Sequence, residues 1–243
     1  MQQLFATVAV GVFILASIVI GLRLLHLHRR TGDSPELLLG LMLLLVVGVG
    51  YPATIAAQFA GPGTARALAI VSGLTLNSGS ALLFLFTWRV FRHEEAWARS
   101  LAGAGVVALC AQAGWRWFDA LSHDVVQFEN QGGLLLMMLA FLWAAWESLR
   151  RYGMMRRRMR IGLGDVVVCD RFMLFGVWTS CSIAGVLMNT VAMWMHIDIR
   201  NTAWIQVASS LIGLVQAGVL VLAFAPPRFY LHWVRERPRA WAT

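Results

Sequence analysis

Long apolar runs, separated by short stretches that carry arginine, set the pattern of this chain. A helix rises 1.5 Å per residue, so about 20 mostly apolar residues are needed to cross the hydrocarbon core of a bilayer. Segments of that kind run over Leu4–Leu25, Leu37–Ala60, Ala67–Val90, Leu101–Leu121, Gly132–Leu149, Phe172–Met195 and Ala203–Ala225. The connections are short, the longest being Arg150–Arg171, and there is no internal repeat. The pattern predicts an all-α polytopic membrane protein, a bundle of seven transmembrane helices over residues 1–227. Pro226-Pro227 should end the last of them, because neither proline can donate a backbone hydrogen bond. Residues 228–243 read as a basic, amphipathic cytoplasmic tail. There Phe229, Tyr230 and Trp233 alternate with Arg228, His232 and Arg235, as in a short helix lying in the membrane interface.

Charge gives the segments an orientation. Arg23, Arg29 and Arg30 follow the first, and Arg89, Arg92 and Arg99 surround the third connection. The fifth connection carries Arg150, Arg151, Arg156, Arg157, Arg158, Arg160 and Arg171, and the tail carries Arg228, Arg235, Arg237 and Arg239. The alternate connections hold only Arg66 and Arg200, and the fourth has Asp124 and Glu129 with no arginine. Basic connections stay in the cytoplasm, so the N-terminus is expected outside and the C-terminus inside. Met1-Gln2-Gln3 lacks the positive charge that precedes a cleaved signal, so the first segment reads as a retained helix. Trp88, Trp143, Trp146 and Trp233 fall near the inner boundary and Trp115, Trp117, Trp194 and Trp204 near the outer one, where indole rings prefer to sit.

Composition sharpens the class. The chain is 59% hydrophobic and 13% charged, against about half and a quarter in soluble domains. The net charge of +8 is then a topology signal and an attraction to anionic lipid at the cytoplasmic face, and no nucleic-acid partner is expected. All 20 basic residues are arginine. Without a lysine amine no retinal Schiff base can form, and no other cofactor is indicated. With the richness in alanine, glycine and arginine, the missing lysine points to a GC-rich bacterial genome and hence to a bacterial inner membrane. Cys110, Cys169 and Cys181 have no paired spacing and read as small core residues.

Polar residues inside apolar spans are the candidate chemistry. Counted from the span centres, Tyr51, Gln58, Gln112, Arg116, Asn189, Gln206 and Ser210 fall in the outer half, and Asn77 near the midplane. Such groups face the bundle interior, one another or a water-filled cavity. The ligand-binding set expected is Tyr51, Asn77, Gln112, Arg116, Asn189, Gln206 and Ser210, an outward-facing pocket for a small molecule. The competing reading is interhelical hydrogen bonding, with Arg116 paired to Asp119 at i+3. Asp119, His123, Asp124, His196 and Asp198 are of the types that can ligate a metal. They lie at span ends and in loops without an HxxxH or HExxH pattern, and no metal is expected. On the inner side Arg156, Arg157, Arg158 and Arg160 belong to six arginines within eleven residues, a surface for anionic lipid or an acidic partner. Gly162-Leu163-Gly164 lacks both a GxGxxG frame and a Walker lysine, so it is no phosphate loop. Asp165 suits the N-cap of the sixth helix, and Glu147 can pair with Arg150 or Arg151. No nucleophile–base pair converges at one depth, so an enzyme is not expected.

The layout of seven helices, an outer N-terminus, a basic third cytoplasmic connection and an interfacial tail helix resembles that of G-protein-coupled receptors. The motifs differ: Thr87-Trp88-Arg89 stands where that family has Asp-Arg-Tyr, and Pro227-Arg228-Phe229-Tyr230 keeps only the PxxY half of its seventh-helix motif. Shared topology of this kind implies no function. Gly162–Phe172, with Ala225-Pro226-Pro227 and the aromatic-basic tail, is similar to uncharacterised bacterial seven-helix membrane proteins, which implies topology alone. The pocket outside and the arginines inside lead to the expectation of a receptor-like or sensory protein that signals to a separate cytoplasmic or membrane partner. The alternative is a transporter or facilitator, or a non-catalytic subunit of a membrane complex. The midplane holds no Asp or Glu, which weighs against ion-coupled transport. A reporter active only in the cytoplasm should be active when fused at Tyr152, and one that requires export should be active when fused at Asp124. The opposite pair of results would reverse the orientation.

Overall fold

The computed structural model describes residues 2–122, 131–161, 163–195, 197 and 202–236. Among them all regular structure is helical: α1 (Gln2–Thr31), α2 (Ser34–Ala57, interrupted by a π segment), α3 (Pro62–Phe91), α4 (Ala96–Ser122), α5 (Gln131–Arg160), α6 (Val166–Trp194), α7 (Ala203–Phe224) and α8 (Arg228–Glu236). Phe5–Thr31, Ser34–Ala57, Pro62–Phe91, Gly132–Met159, Val166–Ala192 and Ala203–Phe224 are long and apolar enough to cross a membrane. This is a multi-pass membrane protein. The expected fourth span lies within α4, one continuous helix of 27 residues. It is not among those six, which were found among the described residues, and Arg99 and Gln112 interrupt its apolar run.

The chain packs as two compact units, one of Ser17–Phe141 and the other of Met1–Ala16 with Leu142–Thr243. In the first, α1 and α2 cross on a pair of glycines. A Cβ on Gly40 would stand 3.0 Å from the Gly21 carbonyl oxygen, and one on Gly21 would stand 2.9 Å from Leu44 Cγ. Small residues let backbones approach this closely when lipid supplies no hydrophobic drive for association. The turn between the two helices needs Gly32, whose φ of 76° lies in the left-handed region. Its N–H donates to the His28 carbonyl at 2.8 Å, and the Thr31 hydroxyl donates to Glu36 at 2.7 Å.

Mid-span, α2 widens into a π-helix over Leu44–Gly50, and the Tyr51 N–H donates five residues back to the Val46 carbonyl. Pro52 offers a cause. A proline ring collides with the carbonyl four residues before it, here that of Gly48, and a widened turn relieves the collision. The π segment packs against α3, where a Cβ on Gly79 would overlap the Val46 side chain and one on Gly50 would stand 2.8 Å from Thr75 Oγ1. The buried stripe of α3 recurs every three or four residues through Ala69, Ser72, Gly73, Asn77, Ser80, Leu83, Phe84 and Thr87. Beyond it the Phe84 ring covers Gly105 of α4, 2.9 Å from where a Cβ would sit.

In the second unit α5 meets α6 at Gly176, where a Cβ would stand 2.7 Å from Leu149 Cδ2. Trp178, 2% exposed, packs with Phe175 at a ring separation of 5.5 Å. Asp165 caps α6 as the sequence leads one to expect, its carboxylate accepting the Val167 N–H at 2.8 Å. The diproline ends α7 at Phe224, and α8 follows as the expected short amphipathic helix. It is fastened to α6: the Tyr230 hydroxyl donates to the Asp170 carboxylate, and Val234 is buried. Phe229 and Trp233 remain exposed.

Packing this tight makes Gly79 intolerant. Gly79→Val is expected to cost about 1–3 kcal/mol through overpacking against Val46, read as a lower thermal midpoint in detergent. Gly103→Ala, where nothing lies within 4 Å of the new Cβ, should be neutral or should stabilise by up to about 1 kcal/mol.

Candidate functional site

A polar layer runs through the first unit, from α2 across α3 to α4. On α2, the Thr54 hydroxyl donates to the Gly50 carbonyl at 2.9 Å. A hydroxyl has one hydrogen to give, so the 2.5 Å contact between Thr54 and Ser72 places the donor on Ser72. One turn further along α3, the Thr75 hydroxyl donates to the carbonyls of Val71 and Ser72 at 2.8 and 3.0 Å. Further still, the Asn77 amide nitrogen donates to the Gln112 amide oxygen and joins α3 to α4. Asn77 is only 7% exposed. Ser80 and Thr87 complete the stripe by donating to the Leu76 and Leu83 carbonyls, both at 2.8 Å, which satisfies a hydroxyl within its own helix.

Of the residues the sequence marks as ligand-binding, the structure brings together Asn77 and Gln112. Tyr51 follows the π segment directly and is 38% exposed. The Arg116 side chain lies outside the described residues, as do those of Asp119, His123, Asp124, His196 and Asp198. The other three marked residues belong to the second unit. The Asn189 side chain is exposed and donates to the Gly185 carbonyl at 3.0 Å. Ser210 is buried and donates to the Gln206 carbonyl at 2.7 Å, and the Gln206 side chain is half-buried.

Two polar pairs escaped the sequence reading. Gln216, 7% exposed, donates to the Ser182 hydroxyl at 2.7 Å, and Ser182 donates to the Trp178 carbonyl at 3.0 Å, which ties α7 to α6. Thr54–Ser72 is the other. Gln216 could have been found by the rule that singled out Gln112, since it too is an amide inside an apolar run. Thr54 could not, because a threonine is equally at home bonded to its own helix. Glu147 is 2% exposed and its neighbour Ser148 is fully buried, so this end of α5 is more enclosed than its arginine-rich sequence suggests.

At the arginine-bearing end of the second unit, Arg156, Arg157 and Arg158 are exposed, while the Arg160 side chain lies outside the described residues. In the first unit, Arg92 pairs with Glu95 at 2.5 Å. The Arg99 guanidinium lies over the Trp88 ring at 5.9 Å, a cation–π contact. No family model, no curated protein and no solved structure matches the chain.

If the amide pair holds α3 to α4, Asn77→Ala and Gln112→Ala should be less than additive in a double-mutant cycle read by unfolding in detergent. The expected coupling is about 0.6 kcal/mol and at most about 1.7.

Proposed function

We propose that the chain is a receptor-like, sensory protein of the bacterial inner membrane, with seven transmembrane helices, its N-terminus outside and its C-terminus in the cytoplasm. The observation that carries this reading is the π segment Leu44–Gly50, set in the middle of α2 and bordered by the polar layer. π turns occur frequently at functional sites. A segment able to pass between two hydrogen-bond registers would also supply the bistable element that signalling requires. Passing from the π to the α register would move one side of α2 by a residue, which is about 100° of rotation and 1.5 Å of rise. The side bearing Tyr51 and Thr54 would then turn against the side that begins at Ser34. A small molecule that binds one register more tightly than the other shifts the population by its difference in affinity.

In the first unit the ligand would meet Asn77 and Gln112, which the fold brings together, and Tyr51 and Arg116 are the further candidates that the sequence offers there. Phenol and amides suit a polar molecule that both donates and accepts hydrogen bonds. Asn189, Gln206 and Ser210 are the candidate ligand residues of the second unit. Arg156, Arg157, Arg158 and Arg160 supply a cytoplasmic surface for anionic lipid or an acidic partner protein. No cofactor, metal or catalytic step enters the reading. The same mid-span break gives facilitated passage a claim, because discontinuous helices mark substrate sites in transporters.

Protein in lipid nanodiscs, screened by thermal shift against polar small molecules, should yield a saturable ligand. Gln112→Leu should weaken its binding about tenfold, the loss of one buried hydrogen bond. Deletion of Val49, which lets α2 run as a regular helix, should preserve folding and abolish ligand-dependent change in hydrogen exchange at the arginine-bearing end. A library without any saturable ligand would sink the receptor reading. Equilibration of labelled solutes across proteoliposomes would favour the facilitator instead.

A further inference from the structure

In the first unit, the start of α2 and the end of α3 enclose an open groove of about 290 Å³, lined by Ser34, Leu37, Leu38, Leu85, Trp88 and Arg89. Its walls are three leucines and an indole, and its polar groups, Ser34 and Arg89, sit together. Arg89 Nε donates to Ser34 Oγ at 3.3 Å. The two arginines at this end of α3 are in different states. Arg92 is neutralised by Glu95 at 2.5 Å, whereas Arg89 is exposed and has no carboxylate partner among the described residues. Its terminal guanidinium nitrogens are left to meet an acceptor from outside.

We infer that this groove seats an anionic phospholipid of the leaflet that faces the arginine-bearing end. One acyl chain would lie along Leu37, Leu38 and Leu85, and the phosphate would be held by Arg89 and the Ser34 hydroxyl. Three observations lead to a lipid rather than a soluble ligand. The groove is open, whereas pockets for drug-sized molecules bury most of the ligand. Its apolar wall belongs to two membrane-spanning helices, so acyl chains are the solvent already present. A guanidinium beside a hydroxyl is phosphate chemistry, since the guanidinium offers a flat pair of N–H donors that matches two phosphate oxygens.

The acidic groups nearby do not cancel this. Glu36 accepts the Thr31 hydroxyl at 2.7 Å, and Glu95 is engaged by Arg92. Asp33, the residue before Ser34, is exposed, with Arg29 and Arg30 in the last turn of α1 just before it. Basic pockets between transmembrane helices bind anionic headgroups in the same way. Such a lipid would brace the start of α2, the fixed half of the helix that carries the π segment.

Native mass spectrometry of the detergent-purified full chain, titrated with phosphatidylglycerol or with phosphatidylcholine, tests this. Wild type should retain phosphatidylglycerol in preference to phosphatidylcholine. Arg89→Gln should weaken phosphatidylglycerol binding about fivefold, the value of one arginine at a charged surface, and leave phosphatidylcholine unchanged. Leu85→Trp, which fills the groove, should lower binding of both. Arg66→Gln, near the opposite end of α3, should match wild type. Equal retention of the two lipids by wild type, or phosphatidylglycerol binding unaffected by both groove variants, would overturn the assignment. Should Leu85→Trp fail to fold, the exposed Arg89→Gln variant decides alone.

Discussion

In hydrocarbon a polar group that loses its partner has no water to fall back on, and the described helices answer to that constraint almost throughout, the buried Ser17 and Ser148 hydroxyls and the Trp88 indole N–H being exceptions. It explains why the described backbone is helical. It also explains why mid-span serines and threonines turn inward on their own helices, and why Asn77 and Gln216 reach across to Gln112 and Ser182. Even the irregular part of α2 obeys. Where Pro52 cannot donate, the preceding turn widens and the Tyr51 N–H finds the Val46 carbonyl one residue further back. The break therefore shifts a hydrogen bond instead of abandoning one.

Once hydrogen bonding is settled, close approach decides how the helices pack. Lipid tails are as apolar as leucine, so shape rather than hydrophobicity selects neighbours. The Gly21–Gly40 crossing, the Gly79 seat under Val46, the Gly105 seat under Phe84 and the Gly176 seat under Leu149 are four versions of one solution. Each trades a side chain for contact between a backbone and a bulky neighbour. The π segment sits between two of these seats, so its extra width is accommodated by absent side chains on both sides.

The helices were legible in the sequence because apolar length is a strong signal, and Asp165, Pro226-Pro227 and the aromatic-basic tail marked their ends correctly. Gly32 gave the left-handed turn that closes α1, a role visible only with the backbone in hand. The π segment was not legible. Leu44–Gly50 is a run of leucine, valine and glycine that reads as ordinary helix, and only Pro52 hints at the strain. Among the candidate residues, sequence could rank depth but not azimuth. Asn77, placed near the midplane, and Gln112, placed in the outer half, proved to face each other, whereas Tyr51 and Asn189, also placed in the outer half, turned to exposed faces. Facing requires the rotation of each helix about its own axis, which packing sets and hydropathy does not record.

The bond from Tyr230 to Asp170 has a mechanical meaning. The tail leaves the end of α7, yet it is clasped to the start of α6, so α6, α7 and α8 form a closed ring of two covalent joints and one hydrogen-bonded joint. A pull on the tail, from a bound protein or from the curvature of the leaflet beneath it, is loaded onto α6 before it strains α7. With the buried Val234, the clasp is the non-covalent member of that ring, so it yields before either covalent joint.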